Sequence, residues 1–207
     1  MSDLLAFFGG SFDPIHHGHL IVARSIAEQL GLRRIVLVPA AQSPHKSRIC
    51  ASGAQRLEMI RLAIAGEAMF EVSDVEISRG SPSYTFETLE ELRRRHGRQT
   101  PLAWVIGADM LADLPKWLHA RELIEQFEMI IAARPSVIDL DQTLIQLEKS
   151  LGAPEGRLRR WVVRNPLIDI SATDIRQRIA SGKSIAYLVP PAVCNYLFST
   201  KLYGAVR

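Results

Sequence analysis

The sequence predicts an α/β protein: a doubly wound, mostly parallel sheet with a small helical appendage at the C-terminal end. Leu4–Phe8, Ile35–Val38, Leu102–Ile106 and Met129–Ala133 are short, continuous apolar runs, as expected of strands buried on both faces. Amphipathic segments stand between these runs, and a repeated strand–helix order favours a parallel sheet with helices on either side. The chain has 207 residues, 47% of them hydrophobic and 23% charged, so it can bury a substantial core and is not a disordered or coiled-coil composition.

In chain order, Leu4–Phe8 reads as a buried strand and His19–Leu30 as a helix stopped by Gly31. Ile35–Val38 is the next strand. Ala54–Ala65 is a helix opened near Ser52 and stopped by Gly66. Phe70–Ile77 alternates like a strand, and Phe86–His96 is a helix ended by Gly97. Leu102–Ile106, Arg121–Phe127 and Met129–Ala133 continue the pattern as strand, helix and strand. After Pro135 the character changes: Leu144–Leu151 is helical, Gly152–Arg160 a polar connection and Trp161–Val163 a short strand. Ala172–Ile179 is a helix, with Ser171 and Asp174 spaced as a capping box. Pro190-Pro191 opens a last helix, Ala192–Leu202, closed by Gly204. The chain is expected to form one domain over residues 1–207, with residues 165–207 as a helical subdomain.

Composition excludes several classes. No apolar stretch approaches the ~20 residues of a membrane span, and the acidic start Met1-Ser2-Asp3 does not read as a signal peptide. Two cysteines, Cys50 and Cys194, rule out a disulfide scaffold and fit a reducing cytoplasm. Lys and Arg number 25 against 22 Asp and Glu, a small excess. The one dense basic cluster, Arg93-Arg94-Arg95-His96, follows Glu90 and Glu91 at helical spacing, so it reads as a solvated helix end. Neither a nucleic-acid nor a membrane partner is expected, and the sequence allows a homo-oligomer.

The informative segment is Gly9-Gly10-Ser11-Phe12-Asp13-Pro14-Ile15-His16-His17-Gly18-His19, which joins the first strand to the first helix. In open α/β sheets, ligands sit beyond the carboxyl ends of the strands. Paired glycines let backbone N–H groups approach phosphate oxygens, and the helix N-terminus adds partial positive charge. His16 and His19, three apart, can share a helical face and donate to a phosphate whose charge grows in a transition state. Two plainer readings stay open: Gly-Gly after a strand is often only a turn, and three histidines in four residues could bind a metal, although no H-E-x-x-H arrangement supports it. No G-x-G-x-x-G occurs, which weakens a dinucleotide oxidoreductase. Gly182-Lys183-Ser184 imitates the end of a P-loop, but Gln177 stands where that loop needs glycine.

Gly9–His19 closely resembles the G-G-x-F-x-P-x-H-x-G-H signature of the H-x-G-H nucleotidyltransferases. Ile170-Ser171-Ala172-Thr173-Asp174-Ile175-Arg176 is similar to their I-S-S-T-x-x-R segment, with Ala172 where serine is usual. Pro44-His45-Lys46, Ser83-Tyr84-Thr85, Gly107–Met110 with Trp117, and Ala133-Arg134-Pro135 follow in the order seen in bacterial nicotinate-nucleotide adenylyltransferases. The resemblance spans the chain from Phe8 to the final helix. It implies a Rossmann-like nucleotidyltransferase fold and transfer of the adenylyl group of ATP to nicotinate mononucleotide, giving deamido-NAD and pyrophosphate.

The resemblance also implies roles for individual residues. His16 and His19 would act on the ATP phosphates as catalytic groups, with Gly9, Gly10, Ser11, Phe12 and Gly18 lining the ATP site. Gly107 and Asp109 would meet the ribose, and Ser171, Thr173 and Arg176 the β- and γ-phosphates. His45 and Lys46 would approach the mononucleotide phosphate. Trp117 would stack on the pyridine ring, with Thr85 near its carboxylate and Arg134 close by. Mg²⁺ would come with ATP, with no protein ligand expected. The rivals are a nicotinamide mononucleotide or pantetheine-phosphate adenylyltransferase and a catalytically silent nucleotide-binding regulator. A tRNA synthetase fragment is disfavoured, because no K-M-S-K-S segment follows.

Overall fold

Alternate residues of the apolar runs turn to opposite, equally buried faces of the sheet. In strand β1 (Leu5–Gly10), Leu5 and Phe7 face one hydrophobic cluster and Ala6 the other. The same period of two runs through β2 (Ile35–Pro39) and β4 (Leu102–Gly107), so both faces are covered by helices. The computed structural model describes residues 4–42, 49–80, 82–133 and 139–205. Strands β3 (Phe70–Val72), β5 (Glu128–Ala133) and β6 (Val162–Arg164) complete a six-stranded, all-parallel sheet in the order β3-β2-β1-β4-β5-β6. The order reverses between β2 and β4, on either side of β1. That is the switch point at which an open α/β sheet presents a crevice.

Helix α1 (His17–Leu30) follows β1 and ends at Gly31, whose left-handed φ of 61° lets its N–H reach the last carbonyls of the helix. Helix α2 (Gly53–Ile64) opens on a reciprocal capping box between Ser52 and Gln55. Helices α4 (Thr85–His96), α5 (Ala120–Gln126) and α6 (Leu140–Leu151) cover one face through Leu89, Leu92, Leu123 and Leu144. Helices α7 (Ala172–Ala180) and α8 (Pro191–Ser199) bury Ile175, Ile179, Val193 and Leu197 against Met59 and Ile60 of α2 and Leu37 of β2. The basic cluster ends α4 as expected: Arg93 and Arg95 pair with Glu90 and Glu91, and Arg94–His96 are exposed.

Three expectations are corrected. The alternating run Phe70–Ile77 is a strand only through Val72; helix α3 (Val75–Arg79) follows. The Ser73 hydroxyl accepts from the Val75 N–H, and Ser78 donates to Asp74, so side chains satisfy the turn locally. A five-residue helix is too short to display a 3.6-residue period, and its Val75 and Ile77 imitate alternation. Second, Ala108–Lys116, read without an element, forms 3-10 turns that contain Pro115. Third, the last helix stops at Ser199, because Lys201 and Tyr203 adopt φ values of 55° and 58°. The expected capping box at Ser171 is half present: its hydroxyl accepts from the Asp174 N–H at 3.1 Å.

Candidate active site

A cleft of about 720 Å³ opens at the carboxyl ends of β1 and β4, over the switch point. Gly9, Gly10, Ser11, Phe12, His16, Gly18 and His19 line one side, and Ser171, Thr173 and Arg176 of the α7 start line another. Thr85, Gly107, Asp109 and Trp117 complete the expected residues that it brings together. His45, Lys46 and Arg134 lie outside the described residues. His17 faces a separate groove with Ile21 and Pro190, and Gly182–Ser184 is an exposed turn after α7.

The glycines have steric reasons. A Cβ on Gly9 would overlap the indole of Trp104, and one on Gly107 would overlap the Asp109 carboxylate. A Cβ on Gly18 would stand 3.0 Å from His16 Nδ1, so this glycine leaves room for the His16 ring. Phe12 is buried at φ 47°, in the left-handed region that non-glycine residues rarely adopt, and its ring stands edge-on to His19 at 4.9 Å. The two histidines stack, with ring centroids 3.7 Å apart, and His19 Nδ1 accepts from the backbone N–H of His16 at 3.3 Å.

Burial, with a smaller effect from His17, lowers the His16 pKa from 6.5 to about 4. At neutral pH, then, His16 is an uncharged imidazole with one N–H to donate. The unfolded chain takes up a proton on this residue near pH 6.5, which the native state refuses until about pH 4. Stability should therefore be full above pH 6.5 and fall by roughly 3 kcal/mol between pH 6.5 and 4. Urea unfolding at pH 7 and pH 4.5 tests this: His16→Gln should flatten the pH dependence, and an unchanged slope would assign it to other groups.

Arg176 is held in place by the chain itself. Its Nη1 donates to the Asp13 carbonyl at 2.6 Å and its Nη2 to the Thr173 hydroxyl at 3.2 Å. Trp117 is half-buried, packs against the core and lines the cleft. Asp109 stands exposed at the rim, where a carboxylate can accept from hydroxyl groups.

Sequence reading missed the residues beneath this surface. Arg56 of α2, 1% exposed, donates to the carbonyls of Ser11 (2.9 Å) and Ala51 (3.2 Å). Glu76 of α3, also buried, forms part of the cleft wall and accepts from the Thr88 hydroxyl at 2.7 Å. Burial pushes the Glu76 carboxyl up, against the hydrogen bonds of Ser83 and Thr88 and the charges of Arg79 and Arg56. Asp13 lies inside the first motif, between the glycines and histidines that carry its chemical signal. Arg56 and Glu76 gave no signal, because single charges in amphipathic segments normally face solvent.

The donor set does not make a metal cage. Asp13 is taken up by the N–H groups of Cys50 and Ala51 and the Tyr203 hydroxyl, Glu76 is bonded to Thr88, and Asp109 stands on the rim. Among the described residues no group of three or more His, Cys, Asp or Glu side chains could hold a metal ion.

A paired-glycine loop and helix N-terminus at the switch point of a parallel sheet, faced by a second capped helix with an oriented arginine, frame a cleft of the kind expected in a nucleotidyltransferase. The cytidylyltransferase-like family profile matches residues 7–178. A Yersinia pestis protein named "Probable nicotinate-nucleotide adenylyltransferase" is 40% identical over 210 residues, covering 97% of this chain and 95% of the relative. A Marinobacter nauticus protein of the same name is 41% identical over 208 residues, covering 96% and 95%. Plasmodium falciparum nicotinic acid mononucleotide adenylyltransferase, solved complexed with NaAD, shares the fold with a TM-score of 0.76 at 20% identity, covering 97% of each chain. The chain belongs to the nicotinate-nucleotide adenylyltransferase family.

Proposed function

We propose that this protein transfers the adenylyl group of ATP to nicotinate mononucleotide, giving deamido-NAD and pyrophosphate. The observation that carries the reading is the convergence of two phosphate-directed motifs in one cleft. His16 and His19 come from the start of the chain, and Ser171, Thr173 and Arg176 from near its end. The relatives' names supply the substrate class.

In this reading a phosphate oxygen of the mononucleotide attacks the α-phosphorus of ATP in line. The bond from that phosphorus to the bridging oxygen breaks, and pyrophosphate departs. The attacking phosphate is already anionic, so no general base is needed, and catalysis rests on positioning and charge stabilisation. His16 and His19 donate to oxygens that gain charge, and Arg176 with the start of α7 holds the departing β- and γ-phosphates. Gly9–Phe12 and Gly18 let the ATP backbone lie close to the protein chain, and Asp109 accepts from the ribose. His45 and Lys46 are assigned to the mononucleotide phosphate, and Thr85 and Arg134 to the neighbourhood of the ring carboxylate. Mg²⁺ would arrive with ATP and would supply charge neutralisation on its phosphates, with no side chain assigned to hold it.

Trp117 is assigned as the stacking platform for the pyridine ring. Trp117→Ala should raise KM for nicotinate mononucleotide about tenfold with little change for ATP. A defect confined to ATP would put Trp117 in the other subsite. The function itself is tested by pyrophosphate release with ATP and Mg²⁺, in parallel with nicotinate mononucleotide, nicotinamide mononucleotide and phosphopantetheine. The expected result is a clear preference for the nicotinate substrate. No release with any of them, by protein that still binds ATP, would favour the silent regulator. No described helix is long and apolar enough to cross a membrane. A cytoplasmic location is assigned from the two free cysteines.

A further inference from the structure

Asp13 gathers contacts from three distant parts of the chain. Its side chain is nearly sealed from solvent. Oδ2 accepts from the Cys50 N–H at 2.8 Å, and Oδ1 from the Ala51 N–H at 2.9 Å. The Tyr203 hydroxyl donates to Oδ1 at 2.6 Å. Arg176 Nη1 stands 3.8 Å from Oδ2 while donating to the carbonyl of the same residue. One carboxylate thus joins the phosphate loop, the approach to α2, the α7 arginine and the C-terminal turn.

Tyr203 is held there against its backbone preference. It and Lys201 both adopt left-handed φ values, which for non-glycine residues persist only where surrounding contacts enforce them. Burial, reinforced by the bond to Asp13 and its charge, keeps the phenol protonated and therefore a donor at any physiological pH. Tyr203 is not among the residues that line the cleft, whereas Asp13, to which its hydroxyl donates, is.

We infer that Tyr203 is a positioning residue of the active site: its hydroxyl fixes the Asp13 carboxylate, which in turn sets the guanidinium of Arg176 for the departing β- and γ-phosphates of ATP. The inference rests on the adenylyl-transfer reading given above. It makes the C-terminal turn part of the machinery, although 190 residues separate Tyr203 from Asp13.

A double-mutant cycle on kcat/KM for ATP tests it, using pyrophosphate release by Tyr203→Phe, Arg176→Ala and the double variant. Tyr203→Phe keeps the ring and loses only the donor. It should fold as wild type by circular dichroism and lower kcat/KM about tenfold, the scale of a hydrogen bond to a charged group. In the Arg176→Ala background the same change should cost less than twofold, because the group it positions is gone. Asp13→Asn, run through the same cycle, keeps the test open if Tyr203→Phe does not fold, and should show the same loss of effect. Costs that multiply independently, or a Tyr203→Phe variant with lowered thermal midpoint but wild-type kcat/KM, would make Tyr203 a purely structural strut and overturn the inference. An inactive wild type would instead remove the adenylyl-transfer reading, and this inference with it.

Discussion

His19→Ala is expected to lower turnover by about 10²–10³-fold, the usual cost of removing one preorganised donor from a developing oxyanion. The fold should survive. His19 is only partly buried, at the first turn of α1, and alanine is a good helix former. ATP affinity should change little, because the loss falls mainly on the transition state. The variant also removes the ring stacked on His16 and the acceptor for the His16 N–H, so His16 itself becomes less ordered. Single-turnover rates set beside equilibrium ATP binding separate these effects. Unchanged turnover would take His19 out of the mechanism, whereas a parallel loss of ATP affinity would make it a binding group.

Arg56→Met should produce the largest loss of stability, about 3–5 kcal/mol, as for a buried ion whose partners are left uncompensated. Its guanidinium donates to the carbonyls of Ser11 and Ala51, and the charges of Asp13 and Glu76 favour its charged form against burial. Methionine fills much of the volume but supplies neither donors nor charge. The Ser11 carbonyl belongs to the loop that the proposed function assigns to ATP, so folded Arg56→Met protein should also bind ATP more weakly. Urea denaturation and ATP titration measure the two effects. A variant as stable as wild type would mean that water or rearranged neighbours satisfy those carbonyls and carboxylates.

Legibility differed by feature. Strands β1, β2, β4 and β5 were readable because each is a short run buried on both faces, a pattern few other elements produce. Gly31 and Ser52 marked helix ends because caps use local chemistry. Helix α3 was hidden because Val75 and Ile77 fit a period of two as well as one short turn. The 3-10 turns from Ala108 to Lys116, which bring Asp109 and Trp117 to the cleft, have weak local signals and are set by packing of Leu111 and Leu114 into the core. Among the expected site residues, the glycines, His16, His19 and the Ser171–Arg176 group were visible through local spacing.

The sequence by itself determined the sheet's strands, the two motifs and hence the class of chemistry, because each depends on contacts within one or two turns of chain. Only the tertiary structure decided that Arg56 and Asp13 are buried, that Tyr203 reaches back to the first loop, and that burial keeps His16 uncharged. Those outcomes depend on solvent exclusion and on partners tens to hundreds of residues away. A one-dimensional pattern cannot record which charge will lose its water when distant segments close over it.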